Sequence, residues 1–133
     1  MKIEQLMSSP PVTIDMDDTL DHVRSLFLEL KFHHLLVVRH GVLRGVLSDR
    51  DLLESISHRV GTAAETRSDL DTLKRRVHQI MVRDPVSLGP NDTVRDAVKL
   101  FNKHGVSCLP VVNERNRPVG IVSWRDIMAR LAA

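Results

Sequence analysis

The stretch GVLSDRD at residues 45–51 recurs as GIVSWRD at residues 120–126. In both copies a short apolar run typical of a strand ends at a serine, and an aspartate follows three residues later. The similarity extends toward the N-terminus, because residues 3–38 align with residues 77–112 without a gap. Two copies of one unit in a chain of 133 residues predict a paired, pseudo-twofold domain and not a long solenoid.

The apolar pattern predicts an α/β fold in which each copy has the order β-α-β-β-α. In the first copy, apolar residues at helical spacing follow Asp17 and Asp18, and we expect one of these to cap the helix. Two apolar runs on either side of Gly41 predict a hairpin. The predicted strands of the first copy are 12–14, 35–38 and 42–47; the second copy repeats the order, with a helix after Asp92 and strands at 109–112 and 118–122.

These elements divide the chain into three segments. We expect the first repeat at residues 1–57, a linker loop and helix at residues 58–76, and the second repeat at residues 77–133. The linker begins irregularly, and Ser68 or Asp69 is then the predicted cap of its helix.

Composition and charge argue against several classes of function. Aromatic residues make up 3% of the chain, so few side chains are available to stack on single-stranded nucleic acid. The formal net charge is +2, with 19 basic and 17 acidic residues interleaved, whereas nucleic-acid binders concentrate basic residues on one face. No apolar run approaches the roughly 20 residues of a membrane helix or forms a signal peptide. We therefore expect a cytoplasmic protein with no membrane or nucleic-acid partner.

The repeated motif carries the most chemical information. A serine followed three residues later by an aspartate is a variant of the capping box, which satisfies free backbone N–H groups at the start of a helix. The same helix start is also suited to phosphate, with hydroxyl donors, guanidinium groups and carboxylates that accept from a ribose diol. The residues are Ser48, Arg50 and Asp51 in one copy and Ser123, Arg125 and Asp126 in the other. The spacing alone leaves capping and nucleotide binding both open.

Other reactive residues give no pattern of catalysis or metal binding. Cys108 is the single cysteine and is expected to be a small buried hydrophobe. His33 and His34 are adjacent on a predicted strand, so their side chains point to opposite faces and do not converge on one metal ion. No nucleophile elbow or phosphate loop is present, and we expect no enzyme activity. Trp124 is predicted to cover a binding cleft, to anchor a subunit contact or to pack locally.

Both copies resemble the cystathionine β-synthase (CBS) domain. The resemblance rests on PVT at residues 11–13, DTL at 18–20, LLVV at 35–38 and GVLSDRD, and on PVS at 85–87, DTV at 92–94, LPVV at 109–112 and GIVSWRD. A tandem pair of this kind is similar to a Bateman module, and the chain resembles free-standing bacterial CBS-pair proteins, including the acetoin-utilisation type. The resemblance implies two sheets packed around a pseudo-twofold axis, with the helices outside.

In this family, the clefts between the repeats hold AMP, ADP, ATP or S-adenosylmethionine as regulatory ligands, with no required cofactor. The resemblance implies composite clefts, the base held by one repeat and the ribose and phosphate by the other. One cleft would use Thr13, Phe32, His33, His34 and Leu36 with Ser123, Arg125 and Asp126. The other would use Ser87, Val106, Ser107, Cys108 and Pro110 with Ser48, Arg50 and Asp51. The two histidines favour a more anionic ligand in the first cleft, since protonated histidine pairs with phosphate.

The resemblance also implies partners. We expect a homodimer formed through apolar helix faces, and an unidentified protein that the module regulates. The residues expected on those faces are Leu52, Leu53, Ile56, Ile127, Met128 and Leu131. The alternative is a structural or dimerisation module that binds no ligand, in which Ser48 and Ser123 act only as helix caps.

Overall fold

A computed structural model gives the structure of residues 1–132, which form two compact units. Unit 1 contains residues 1–12 and 40–43 and the chain from residue 84 onward, whereas unit 2 contains residues 13–39 and 44–83. Each unit therefore combines most of one repeat with the segment that leads into the other repeat.

Unit 2 is built around a four-stranded sheet with the strand order β1-β2-β3-β4. Strand β1 runs parallel to β2, with Thr13 opposite Leu36, and β4 runs antiparallel to β3. The elements are β1 (Thr13–Asp15), α1 (Leu20–Glu29), β2 (His34–Arg39), β3 (Val42–Ser48), α2 (Asp49–Ser55), α3 (Arg67–Asp71) and β4 (Val82–Arg83), with short 3-10 segments at Thr72–Lys74 and Val77–Gln79. The first two residues of β3 group with unit 1.

The hairpin and the helix caps follow from local sequence. Strands β2 and β3 are joined by His40 and Gly41, whose φ angles of 53° and 79° are those of a tight two-residue turn. The cap of α1 is Thr19, whose hydroxyl accepts from the backbone N–H of His22, so the prediction of Asp17 or Asp18 was wrong. Asp18 instead accepts from the backbone N–H of Asp15 and closes the preceding turn.

Unit 1 contains the second copy and the N-terminal segment. Its elements are a 3-10 turn at Ile3–Gln5, α4 (Val94–His104), β5 (Cys108–Val112), β6 (Pro118–Ser123) and α5 (Trp124–Ala132). Strands β5 and β6 pair antiparallel, with Cys108 opposite Ser123. The first strand expected in this copy was wrong, because only Leu88 forms a bridge there, with Val111.

The structure corrects two further predictions. Helix α3 in the linker is capped by Thr66, not by Ser68 or Asp69, and its capping box is closed by the Asp69 carboxylate. Among the helix residues expected to be exposed, Leu52 and Ile127 are buried in the core. Leu53, Met128 and Leu131 are exposed as predicted.

The segments that lead into the repeats occupy equivalent places in the two units. In unit 1, the backbone N–H of Ile3 donates to Asp92, and the backbone N–H of Val94 donates to Met1. In unit 2, Val77 and Leu20 make the equivalent bonds with Asp18 and Arg75. The side chains of Ile3 and Val77 are fully buried, so each unit needs its incoming segment to complete its core.

No helix within residues 1–132 is long and apolar enough to cross a membrane.

Candidate functional site

The repeated serine and aspartate form capping boxes at the starts of α2 and α5. In unit 2, the Asp51 carboxylate accepts from the backbone N–H of Ser48 at 3.0 Å, and the Ser48 hydroxyl accepts from the backbone N–H of Asp51 at 3.0 Å. In unit 1, Ser123 donates to the Asp126 carboxylate from its backbone N–H at 2.8 Å and from its hydroxyl at 3.1 Å. The predicted capping is confirmed in both copies.

The hairpins bring the first residues of a central strand beside each helix start. In unit 2, the carbonyl oxygen of His33, just before β2, accepts from the backbone N–H of Asp49 at 2.9 Å. In unit 1, the carbonyl oxygen of Ser107, just before β5, accepts from the backbone N–H of Trp124 at 3.3 Å. Each unit therefore has one edge where a strand start and a helix N-terminus meet.

The predicted site residues lie in both units. Each of the two clefts predicted from the resemblance contains residues of unit 1 and residues of unit 2. Unit 2 contains Thr13, Phe32, His33, His34, Leu36, Ser48, Arg50 and Asp51; unit 1 contains Ser87, Val106, Ser107, Cys108, Pro110, Ser123, Arg125 and Asp126. Leu36 and Pro110 are buried, and Arg50 and Arg125 are exposed. Thr13 lies beside Leu36, and the backbone N–H of Leu88, which follows Ser87, donates to Pro110.

The two edges differ in polarity. In unit 2, the Nδ1 atom of His33 lies 2.9 Å from the Oδ2 atom of Asp49, and both side chains are close to half exposed. In unit 1, the position equivalent to Asp49 is Trp124, whose ring stacks on Phe101 with a centroid distance of 4.8 Å. Of the alternatives left open for Trp124, the structure therefore displays local packing.

Cys108 is buried in unit 1 at the edge with Ser123. Burial raises the pKa of its thiol to about 12, and the nearby Asp126 carboxylate acts in the same direction. Because only a thiolate is a good nucleophile or metal ligand, this thiol is inert near neutral pH. Residues 1–132 contain no group of three or more His, Cys, Asp or Glu that could hold a metal ion.

A groove of about 670 Å³ lies in unit 1 at the opposite end of β5. It is lined by residues 87–92 on the approach to α4 and by residues 112–115 after β5. Ser87 is the one predicted site residue among them. The groove therefore does not coincide with the edge that carries Ser107, Ser123 and Asp126.

Sequence reasoning missed the pairing of His33 with Asp49. Sixteen positions separate the two residues, so no local spacing connects them. A signal was present in the hairpin, because a turn at His40 and Gly41 brings residues at nearly equal distances from it to the same end of the two strands.

Comparisons with known proteins agree with this geometry. The CBS domain family model matches residues 3–58 and 77–133. A CBS domain-containing protein of Dictyostelium discoideum is 34% identical, over 95% of this chain and 88% of that protein. The CBS domain-containing protein YhcV of Bacillus subtilis is 30% identical, over 94% of this chain and 81% of that protein. A homoserine O-acetyltransferase of Methanocorpusculum labreanum is 27% identical over 92% of this chain, which spans only 23% of that enzyme.

Solved structures show the same fold. The CBS domain pair of protein MJ0100, in complex with 5′-methylthioadenosine and S-adenosylmethionine, has a TM-score of 0.82 and 22% identity, and the match covers 99% of this chain and 96% of that one. AcuB from Vibrio cholerae, a protein assigned to acetoin utilization, has a TM-score of 0.79 and 25% identity, covering 99% and 90% of the two chains. The cytosolic domain of the magnesium channel MgtE in complex with ATP has a TM-score of 0.75 and 27% identity, covering 97% and 48%.

Proposed function

Because the chain belongs to the CBS-domain family, which matches it in two segments, we propose that it is a regulatory module that binds an adenosine-containing nucleotide. The observation that carries the proposal is the edge found in both units, where a serine–aspartate capping box lies beside the start of a central strand. The ligand is AMP, ADP, ATP or S-adenosylmethionine.

The capping bonds are compatible with a bound ribose. The bonds from Ser48 and Ser123 engage the Oδ2 atoms of Asp51 and Asp126, and we propose that the Oδ1 atoms accept from the ribose hydroxyls. A carboxylate has about four lone-pair sites and serves both roles. The exposed guanidinium groups of Arg50 and Arg125 supply positive charge for phosphate.

The remaining proposed contacts are the other residues that the resemblance indicated. Those in unit 2 are Thr13, Phe32, His33, His34 and Leu36, and those in unit 1 are Ser87, Val106, Ser107, Cys108 and Pro110. We propose that the buried residues Leu36 and Pro110 form apolar floors for an adenine ring. The MgtE domain with ATP and the MJ0100 pair with two adenosine compounds support this ligand class.

The proposal includes no catalytic step by this chain. Its output is a change in the protein that it regulates, and the ligand shifts that equilibrium only through a difference in its affinity for two states. The protonated thiol of Cys108 is consistent with a binding role for the edge of unit 1.

The test is a thermal-shift and calorimetric titration with AMP, ADP, ATP and S-adenosylmethionine. A ligand at about 100 times its dissociation constant stabilises the protein by roughly 2.7 kcal/mol, which raises the melting temperature by several degrees. Asp51→Ala or Asp126→Ala should abolish or weaken the shift. The matched control is Asp96→Ala, because Asp96 closes the same kind of capping box with Thr93 on α4 and belongs to neither set of proposed contacts.

A second candidate function is a structural module that binds no ligand. The capping boxes favour it, because they account for Ser48, Asp51, Ser123 and Asp126 without any ligand. This candidate predicts no shift with any of the four nucleotides. It also predicts that Asp51→Ala and Asp126→Ala behave like Asp96→Ala in every assay.

We also propose that the chain is a homodimer. Leu28 and Leu53 of unit 2 and Met128 and Leu131 of unit 1 are 59% to 75% exposed, on helices α1, α2 and α5. We propose that a second copy of the chain covers these large apolar side chains, because exposed apolar area marks interaction surfaces. Light scattering at micromolar concentration tests the dimer, and a monomeric mass would contradict it.

A further inference from the structure

Helices α1 and α4 carry opposite charge on equivalent faces. On α1, Asp21, Ser25 and Glu29 follow one another at intervals of four residues, which places them on one side of the helix. We call these three residues the acidic face. All three are exposed.

The equivalent positions of α4 are Arg95, Lys99 and Lys103, which we call the basic face. These residues are also exposed and lie at the same spacing. Asp21 corresponds to Arg95 and Glu29 to Lys103 in the repeat alignment, so the charge reverses at two positions, and a third cation replaces Ser25.

The charges on the two faces are not neutralised within the chain. Among residues 1–132, none of the five charged side chains takes part in an ion pair. The acidic residue on α4 itself is Asp96, whose pKa is lowered by hydrogen bonds to Thr93 and then by Lys99 and Arg95. Two free faces of opposite sign are electrostatically complementary surfaces.

Exposed apolar groups accompany both faces. Leu28 lies three residues after Ser25, on the side of α1 that carries the acidic face, and is 73% exposed. Helix α2, which contacts α1, adds exposed Leu53. Helix α5, joined to α4 by the stacking of Trp124 on Phe101, adds exposed Met128 and Leu131. Apolar area beside charge is what a specific protein interface requires.

We propose that the occupant of these faces is a second copy of this chain, in a crossed pairing that sets the acidic face of one copy against the basic face of its partner. A twofold axis repeats that contact with the roles exchanged. The opposite arrangement sets acidic against acidic and basic against basic, and like charges in contact oppose association. The inference rests on the homodimer proposed above and adds its arrangement.

The experiment measures the dimer dissociation constant by sedimentation equilibrium for the wild type and three variants. One variant reverses the acidic face (Asp21→Lys with Glu29→Lys), one reverses the basic face (Arg95→Glu with Lys103→Glu), and the third carries all four changes. Crossed pairing predicts that each double variant binds its own copies about tenfold or more weakly, because both contacts become like-charged. The fourfold variant should recover much of that loss, and the recovery stays incomplete because Lys99 remains positive on the reversed face.

The outcomes separate the proposal of a homodimer from the proposal of crossed pairing. A monomeric wild type contradicts the homodimer itself. If the wild type is dimeric and the double variants have the same dissociation constant, crossed pairing is overturned. That result fits the like-with-like arrangement, in which reversing one face leaves every contact between charges of the same sign. Circular dichroism confirms that the variants fold. The salt dependence of the wild type needs no variant: added NaCl weakens a crossed dimer by screening attraction and strengthens a like-with-like dimer by screening repulsion.

Discussion

The sulfur atom of Met81 fills the space beside Gly45 into which any other residue would project its Cβ. A Cβ at Gly45 would lie 2.7 Å from that sulfur and 2.8 Å from the carbonyl oxygen of Val82. Met7 packs against Gly120 in the same way in unit 1. The repeated motif therefore needs glycine at its first position, because a methionine from the incoming segment of the same unit occupies the space that a side chain would take.

Gly45→Ala should destabilise the protein more than Gly120→Ala. The Cβ of Gly45→Ala meets backbone as well as the Met81 side chain, whereas that of Gly120→Ala meets only the flexible Met7. We expect overpacking to cost about 1–3 kcal/mol at Gly45, measured by urea denaturation. In double-mutant cycles, Met7→Ala should relieve most of the cost at Gly120, and Met81→Ala only part of the cost at Gly45. Equal costs at the two glycines would contradict this account.

Cys108 should resist alkylation in the folded protein up to about pH 9. Burial and the Asp126 carboxylate raise its pKa from 9.0 to about 12. Because the folded pKa is raised, the associated stability is complete below pH 9 and is lost as the pH rises toward 12. We expect the wild type to lose stability more steeply than Cys108→Ala over that interval. Parallel pH profiles of the two proteins would show that the thiol is not protected.

Ile3→Ala should destabilise unit 1 although Ile3 lies near the start of the chain. The side chain is fully buried in the cluster with Leu88, Ala97 and Phe101, and loss of such a group costs about 2–5 kcal/mol. The fluorescence of the single Trp124 reports on this unit. Glu4→Ala is the control, because Glu4 is exposed in the same turn. A loss no larger than that of Glu4→Ala would contradict the packing of this segment.

Asp49→Asn should favour ATP over S-adenosylmethionine. The carboxylate lies against His33 and precedes Arg50, so it offsets the positive charge at the edge of unit 2. Removing one negative charge there should tighten ATP binding by about fivefold. The stability should change by less than about 1 kcal/mol, because the pair is exposed. Calorimetry with both ligands measures the ratio, and Glu54→Gln on the same helix is the control for net charge.

The sequence predicted the elements with strong periodicity and failed where the structure depends on distant contacts. Both capping boxes of the repeated motif could be read directly, because Ser48 and Asp51 interact within one helical turn. The cap of α1 was misplaced because Asp18 has an equally suitable local role, in the turn before Thr19. A carboxylate that closes a turn and one that caps a helix have the same sequence signature.

The candidate site was predicted to a similar extent. Residues of the motif could be named because their chemistry repeats. The partner of His33 was missed because it follows from the register of the hairpin and not from local spacing. Helix exposure was also only partly predictable: Leu52 and Leu53 are adjacent and equally apolar, yet one is 3% and the other 69% exposed. The short helix offers too few turns for periodicity alone to separate them.

The placement of residues 1–12 in unit 1 fixes the order in which the two units can be completed during synthesis. Unit 2 has all its residues once position 83 has left the ribosome. Residues 1–12 are made before all of unit 2, but their contacts with Asp92, Val94 and Ile121 must wait until those residues have been made. Contacts so distant in sequence form slowly. The side chain of Ile3 therefore lacks its core partners while unit 2 is made, and it becomes buried only when residues 88–127 have followed.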